Sequence, residues 1–173
     1  MITIKTPEQI DGIRKSSQLA AATLVFLEQL AIPGISTGDI NDRAETFIRD
    51  HGAIPACLGY KGFPKAICTS LNEVICHGIP SHDAILQEGD ILNIDVTTIL
   101  NGYYGDTCKM YEIGEVSNKA KRLLRVAKEC LDRGIKEVHP GSHFGNIGAA
   151  IYGHASSCRF SVAHQFCGHG VGL

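Results

Sequence analysis

Apolar residues first recur along the chain at near-helical spacing, at Ile10, Ile13, Ala20, Leu24 and Leu27. Thr6 precedes Pro7, and Gln9 stands three residues after Thr6, the signature of a capped helix start. The pattern predicts a helix over residues 7–30, ended by Pro33 and Gly34. Ile40, Ala44, Phe47 and Ile48 mark a second amphipathic helix, closed by His51 and Gly52. The chain then turns strand-like. Residues 66–70 and 74–77 flank the short turn Leu71, Asn72 and Glu73 and read as a small hairpin. Ile91–Leu100 is rich in β-branched side chains, Asn101 and Gly102 give the strongest short-range hairpin signal, and residues 103–111 form the returning strand. Leu123, Leu124, Ala127, Leu131 and Ile135 make a third helix, which His139, Pro140 and Gly141 stop.

Past that stop the pattern repeats. Pro33, Gly34, Gly38 and Ile40 recur as Pro140, Gly141, Gly145 and Ile147, at a constant offset of 107 residues. The surrounding order recurs too: a long helix, a Pro-Gly break, a shorter helix and an extended segment ending in residues 160–166. A duplicated half is therefore expected. The same offset puts a counterpart of the 91–111 hairpin near residues 198–218, past Leu173. The expected organisation is one α/β domain over residues 1–173, truncated on its C-terminal side.

Composition narrows the function. A chain of 173 residues at 44% hydrophobic is sized for one well-buried core. Lys and Arg number 16 against 18 Asp and Glu, a formal charge of −2. That balance gives no electrostatic footprint for nucleic acid or an anionic membrane, and neither is expected as a partner. The first residues lack the basic-then-apolar pattern of a secretory leader and no apolar run reaches membrane-spanning length, so a cytoplasmic location is expected. The seven cysteines are odd in number and contain no CxxC pair, which points to reduced thiols rather than a disulfide framework or zinc ribbon.

In a hairpin turning on Asn101 and Gly102, Asp95 should face Cys108 and Thr97 should face Asp106, leaving Asp95 and Asp106 as diagonal neighbours on one face. Such diagonals lie ~7–8 Å apart at the backbone, within reach of carboxylates converging on shared ions. Two like charges on a half-buried sheet repel and lose hydration, which multivalent cations reverse. The plainer alternative is that one aspartate caps a turn and the other is solvated. Against it stands the string ILNIDVTTI, where Ile94 and Val96 argue for burial of Asp95. A register slip of one residue would undo the pairing. His77, in CHGIP, either is structural or points into a cleft. His164, Cys167 and His169 in HQFCGHGVG have zinc-like spacing but no second ligand pair nearby. Gly168, Gly170 and Gly172 allow close backbone approach and favour His169 as a single ligating histidine.

Taken together, ACLGYKGFPKAIC, SLNEVICHGIP, GDILNIDVT, NGYYGDTCKMY and FCGHGVG, in this order and separation, resemble type I methionine aminopeptidases from Lys5 to Leu173. The resemblance implies the pita-bread fold, an α/β arrangement of antiparallel sheet and flanking helices in two related halves around a dinuclear site. It implies removal of the initiator methionine from nascent polypeptides whose second residue is small, by a monomer that meets its substrate at the ribosome. Two divalent metal ions, of Co, Mn, Fe or Zn, would be held by Asp95, Asp106 and His169. His77 matches the catalytic histidine that hydrogen-bonds substrate and stabilises the transition state. Cys57, Tyr60, Phe63 and Cys68 match positions lining the methionine pocket, whose soft apolar character suits a thioether. Asn72 and Val74 match backbone positions around a monovalent cation in some members. The family also supplies two glutamate ligands, one of them the expected general base, and a further histidine, none of which is found in this sequence. The 173-residue chain alone is expected to be inactive. Two rival readings remain: a non-catalytic pita-bread module binding a peptide or protein, which would be free to lose Asp95, Asp106 or His77, and a proline-specific or creatinase-like relative, which the CLGY and CHGIP strings disfavour.

Overall fold

The computed structural model describes residues 3–172. They form two compact units, one of the residues up to Val116 with the segment from Gly170, the other Ser117–His169.

The first unit holds α1 (Pro7–Glu28), α2 (Thr37–Asp50), β1 (Ile54–Pro55), β2 (Cys68–Leu71), β3 (Ile91–Leu100) and β4 (Tyr103–Glu112). The start of α1 is capped reciprocally: Gln9 N–H donates to Thr6 Oγ1 at 3.3 Å and Thr6 N–H donates to Gln9 Oε1 at 2.9 Å. β3 is the central strand. β4 runs antiparallel along one of its edges, while β1 and β2 share the other edge, β1 against residues 98 and 99 and β2 against residues 92–95.

Alternate β3 residues, Leu92, Ile94, Val96 and Thr98, are fully buried in one core with Leu24 and Leu27 of α1 and Ile40 and Ile48 of α2. Each apolar side chain so buried stabilises by about 1.5–3 kcal/mol relative to exposure. Two polar clamps fix α1 on this face. Ser16 Oγ and Thr98 Oγ1 lie 2.9 Å apart, and Thr98 Oγ1 donates to Ser16 O at 3.0 Å. Tyr111 donates its hydroxyl to Leu24 O at 2.6 Å. Gly105 permits the approach, since a Cβ there would lie 2.4 Å from the Ser16 carbonyl carbon.

The small hairpin expected over residues 66–77 does not form. β2 exists, but its partner is β3, and residues 74–77 are not a strand. Asn72 and His77 adopt left-handed backbone conformations, φ 51° and 55°, which bend the segment so that only Gly78 returns, its carbonyl accepting from Thr69 N–H at 2.9 Å.

The second unit holds α3 (Asn118–Lys136) and α4 (Phe144–Ser157). They pack through Val126, Cys130 and Ala155, with Ile151, Phe160 and Val162 against them. Leu123, Leu131 and Ile135, which marked α3 in the sequence, are exposed instead. The apolar stripe of α3 is wider than the surface α4 covers, and the contact falls on the row containing Val126, Cys130 and Gly134.

The repeat is visible in the backbone. Offset by 107 residues, the bounds of α2 coincide at both ends with those of α4, and the preceding turns carry matching positive-φ glycines, Gly34 at 92° and Gly141 at 87°. The caps have diverged: Ser36 accepts from Asp39 N–H, whereas His143 makes no side-chain cap. The extended segment expected at 160–166 contains no strand, because it has no ladder partner among the described residues. Among the described residues no helix is long and apolar enough to cross a membrane.

Candidate metal centre and adjoining pocket

Asn101 and Gly102, at φ 53° and 84°, form the two-residue turn between β3 and β4. Both central residues need φ above zero in such a turn, which is why this dipeptide sets the register. The register is the expected one: Asp95 pairs with Cys108 and Thr97 with Asp106. Asp95 and Asp106 are therefore diagonal neighbours on one face. That face is opposite the one under α1.

Ile94 and Val96 are buried on the α1 side, whereas Asp95 is half-buried on the other. The inference from flanking residues to burial of Asp95 was thus misdirected, because strand neighbours point to opposite faces. The basic residue between Cys108 and Met110, Lys109, also belongs to the α1 side, where its ammonium pairs with Glu28 at 2.7 Å. The aspartate face carries Asn93, Thr97, Cys108 and Met110 beside the two carboxylates, and the oxygens of that set suit a divalent cation.

Across the other edge of β3, Cys68 pairs with Asp95, and Ala56 N–H donates to Thr97 O at 2.9 Å. The chain leaves β3 at residue 56 and returns at 68, so both ends of the intervening loop are fastened beside the aspartates. Cys57 and Cys68 stand at its mouth. A hydrogen bond between these thiols holds Cys57 below the ordinary thiol range against its burial, while Thr97 adds in the same sense and Asp95 and Asp106 oppose it. The same bond, then burial, then the negative charge of Cys57, Asp95 and Cys76, pushes the Cys68 thiol far up. Desolvation by the surrounding sheet pushes the Cys108 thiol up as well, although the residue is exposed at the surface, with an Asn93 hydrogen bond opposing and Asp95 and Asp106 acting in the same direction as desolvation. Thiols on both sides therefore feel both carboxylates. Tyr60 lies in a 3₁₀ turn, Tyr60–Gly62, at the loop's tip and is exposed, while Phe63 is half-buried with its carbonyl accepting from Gly59 N–H at 2.8 Å.

His77 is exposed and adjoins the outer edge of β2, the strand beside the one bearing Asp95. Its position is set by Gly78, whose N–H donates to Ser70 Oγ at 3.1 Å; a Cβ at residue 78 would lie 2.1 Å from Thr69 O. His164, Cys167 and His169 follow α4 in the second unit, outside any helix or strand, all exposed. Asn72 uses its side chain on Asp90 Oδ1 and Ile91 N–H, at 2.9 and 3.1 Å, which pins the end of β2 to the start of β3.

Cys108 was expected opposite Asp95 and stands there, whereas Asn93 was not singled out in the sequence as part of the aspartate environment. Counting every second residue outward from the Asn101–Gly102 turn would have found it.

Comparison with known proteins adds the following. The profile of metallopeptidase family M24 matches residues 11–173. Methionine aminopeptidase A of Synechocystis sp. is 51% identical over 170 residues, covering 98% of this chain and 67% of that protein. The crystal structure of methionine aminopeptidase from Rickettsia prowazekii, 48% identical, superposes with a TM-score of 0.97 over 99% of this chain and 68% of that one. Xaa-Pro dipeptidase from Bacillus anthracis superposes at 0.77 with 21% identity, covering 89% of this chain and 42% of that one, and shares the fold. The chain spans about two thirds of the length of the curated methionine aminopeptidases it matches.

Proposed function

This chain belongs to metallopeptidase family M24, and we propose that its chemistry is hydrolytic removal of an N-terminal methionine, at a metal centre built on Asp95 and Asp106. The observation that carries this reading is the β3–β4 register, which sets the two carboxylates diagonally on one face beside a loop mouth lined by Cys57 and Cys68. Family membership implies divalent metal; two ions of Co, Mn, Fe or Zn, with His169 as the imidazole ligand, are part of the proposal. Such ions, when bound, act as Lewis acids on a carbonyl and as activators of water.

The chain's own residues would then divide the work. Asp95 and Asp106 supply the anionic seat. Cys57, Phe63 and Cys68, with Tyr60 at the loop tip, receive the methionine side chain, whose polarizable thioether prefers an apolar, sulfur-rich wall to water. His77 donates a hydrogen bond to the scissile region as negative charge develops there. A polypeptide N-terminus with a small second residue is the proposed substrate, met as the chain emerges from the ribosome, and both units are taken as parts of one cytoplasmic catalytic domain.

The test is release of free methionine from a Met-Gly peptide, with added Mn²⁺ or Co²⁺, by a polypeptide that carries this sequence together with the two glutamate ligands the family supplies; residues 1–173 alone should release none. Turnover should require metal and be lost in Asp106→Asn. Metal-independent release, or an unchanged rate in Asp106→Asn, would overturn the reading. His77→Ala should lower kcat by ~10²–10³ with metal content unchanged; loss of metal would make His77 a ligand instead.

A further inference from the structure

We propose that Glu129, His154 and Cys158 form a second transition-metal site, separate in residues and in chemistry from the aspartate face. Glu129 lies on α3; His154 and Cys158 are spaced i, i+4 at the end of α4 and so share one helical face. The His154 Nε2 to Glu129 Oε2 distance is 2.7 Å and the Cys158 Sγ to His154 Nε2 distance is 3.9 Å. One ligand atom from each residue lies within 4.8 Å of the other two. Ligands held at about 2.0–2.3 Å in a tetrahedron stand ~3.3–3.8 Å apart. The observed separations fall on both sides of that range, so side-chain adjustments of about 1–1.5 Å at most bring the three donors together.

Two features favour a cation. Carboxylate, imidazole and thiolate together are the donor set of Zn²⁺ and Co²⁺ rather than of Mg²⁺ or Ca²⁺. Cys158 is the C-cap of α4, where the helix presents its negative end. Arg125 stands 4.0 Å from the other Glu129 oxygen, Oε1, where its charge works against a bound cation but leaves Oε2 to the cluster. Glu129 also borders a surface cleft lined by Asp132, Arg133, Lys136, Glu137 and Ala150. The His154 side chain is only 12% exposed, so the imidazole is already held in place. Binding would displace the His154–Glu129 hydrogen bond, coordinate the imidazole in its neutral form and release the Cys158 thiol proton to the buffer. Three protein ligands leave the fourth position to water.

A plain hydrogen-bonded His–Glu pair is the competing description, and it makes no demand on the thiol. The reduced, metal-free chain should therefore be titrated with Co²⁺ and the thiolate-to-cobalt charge-transfer band recorded. The band should appear in the wild type and persist in Asp95→Asn/Asp106→Asn and in Cys68→Ala. It should be lost in Cys158→Ser and in His154→Gln, with folding checked by far-ultraviolet circular dichroism. Absence of the band in the wild type, or its survival in a folded Cys158→Ser, overturns the proposal. Should Cys158→Ser fail to fold, alkylation of the wild type followed by peptide mapping decides: Zn²⁺ shielding of Cys158 supports the site, and equal labelling with and without Zn²⁺ refutes it.

Discussion

Thr98→Val and Ser16→Ala, singly and together, measure how α1 is fixed to the back of the sheet that carries the aspartates. Both side chains are fully buried. Thr98 Oγ1 gives its proton to Ser16 O at 3.0 Å, and the Ser16 hydroxyl is shared between Thr98 Oγ1 at 2.9 Å and Thr98 O at 3.2 Å. Valine keeps the shape of threonine, so Thr98→Val removes hydrogen bonds with little change in packing. The expected loss is ~1–2 kcal/mol, since each buried bond contributes about 1 kcal/mol and Ser16 retains Thr98 O as an acceptor. Ser16→Ala should cost about 1 kcal/mol by the same reasoning, because Thr98 still donates to Ser16 O. The hydroxyl–hydroxyl bond is counted in both single variants but is lost only once in the double. The double variant should therefore fall short of the sum by ~1 kcal/mol, above the ~0.3–0.5 kcal/mol scatter of independent sites. Urea unfolding read as the shift in midpoint at constant slope supplies the three values. Additivity within that scatter would show that the two hydroxyls do not act as one clamp.

Gly105→Ala should destabilise by about 1–3 kcal/mol or more in the same urea assay, because the new methyl meets the α1 backbone rather than a movable side chain. Burial, followed by the charge of Glu28, pushes the Tyr111 phenol above its ordinary value. The stability this group contributes is thus fully present below about pH 10 and lost as pH rises through the folded value. The unfolding midpoint should fall above about pH 10, less steeply in Tyr111→Phe, and equal slopes would contradict the linkage. In the reduced, metal-free chain, Cys57 should be alkylated before Cys68 at neutral pH, as peptide mapping would show, since its thiol is held low and partly exposed while that of Cys68 is held high and buried. Faster labelling of Cys68 would contradict this assignment.

The elements legible in the sequence were those whose instructions are local. The Thr6–Gln9 box and the Asn101–Gly102 turn are written in adjacent residues, and the turn alone carried the pairing of Asp106 with Thr97. Residues 66–77 misled because β2 draws its partner from β3, some twenty residues later in the chain, and nothing within a short window distinguishes that from a hairpin with residues 74–77. The faces of α3 misled for a related reason: Leu131 and Cys130 are both compatible with an apolar stripe, and only the approach of α4 selects one. Burial of Asp95 was overstated by reading neighbours in sequence as neighbours in environment. The cluster of Glu129, His154 and Cys158 was invisible because its members come from two helices, and only His154 and Cys158 share a helical spacing.

Both ends of the loop from residue 56 to 68 are fastened to one edge of β3, at Thr97 and at Asp95. A segment so anchored can change length at little thermodynamic cost, each doubling adding only ~0.6 kcal/mol of closure entropy. Residues 58–65 thereby form an exchangeable cassette. On the proposed reading, selection or a designer could rewrite which side chain is admitted there while the carboxylate scaffold stays untouched, so that substrate choice and hydrolytic chemistry would evolve on separate schedules.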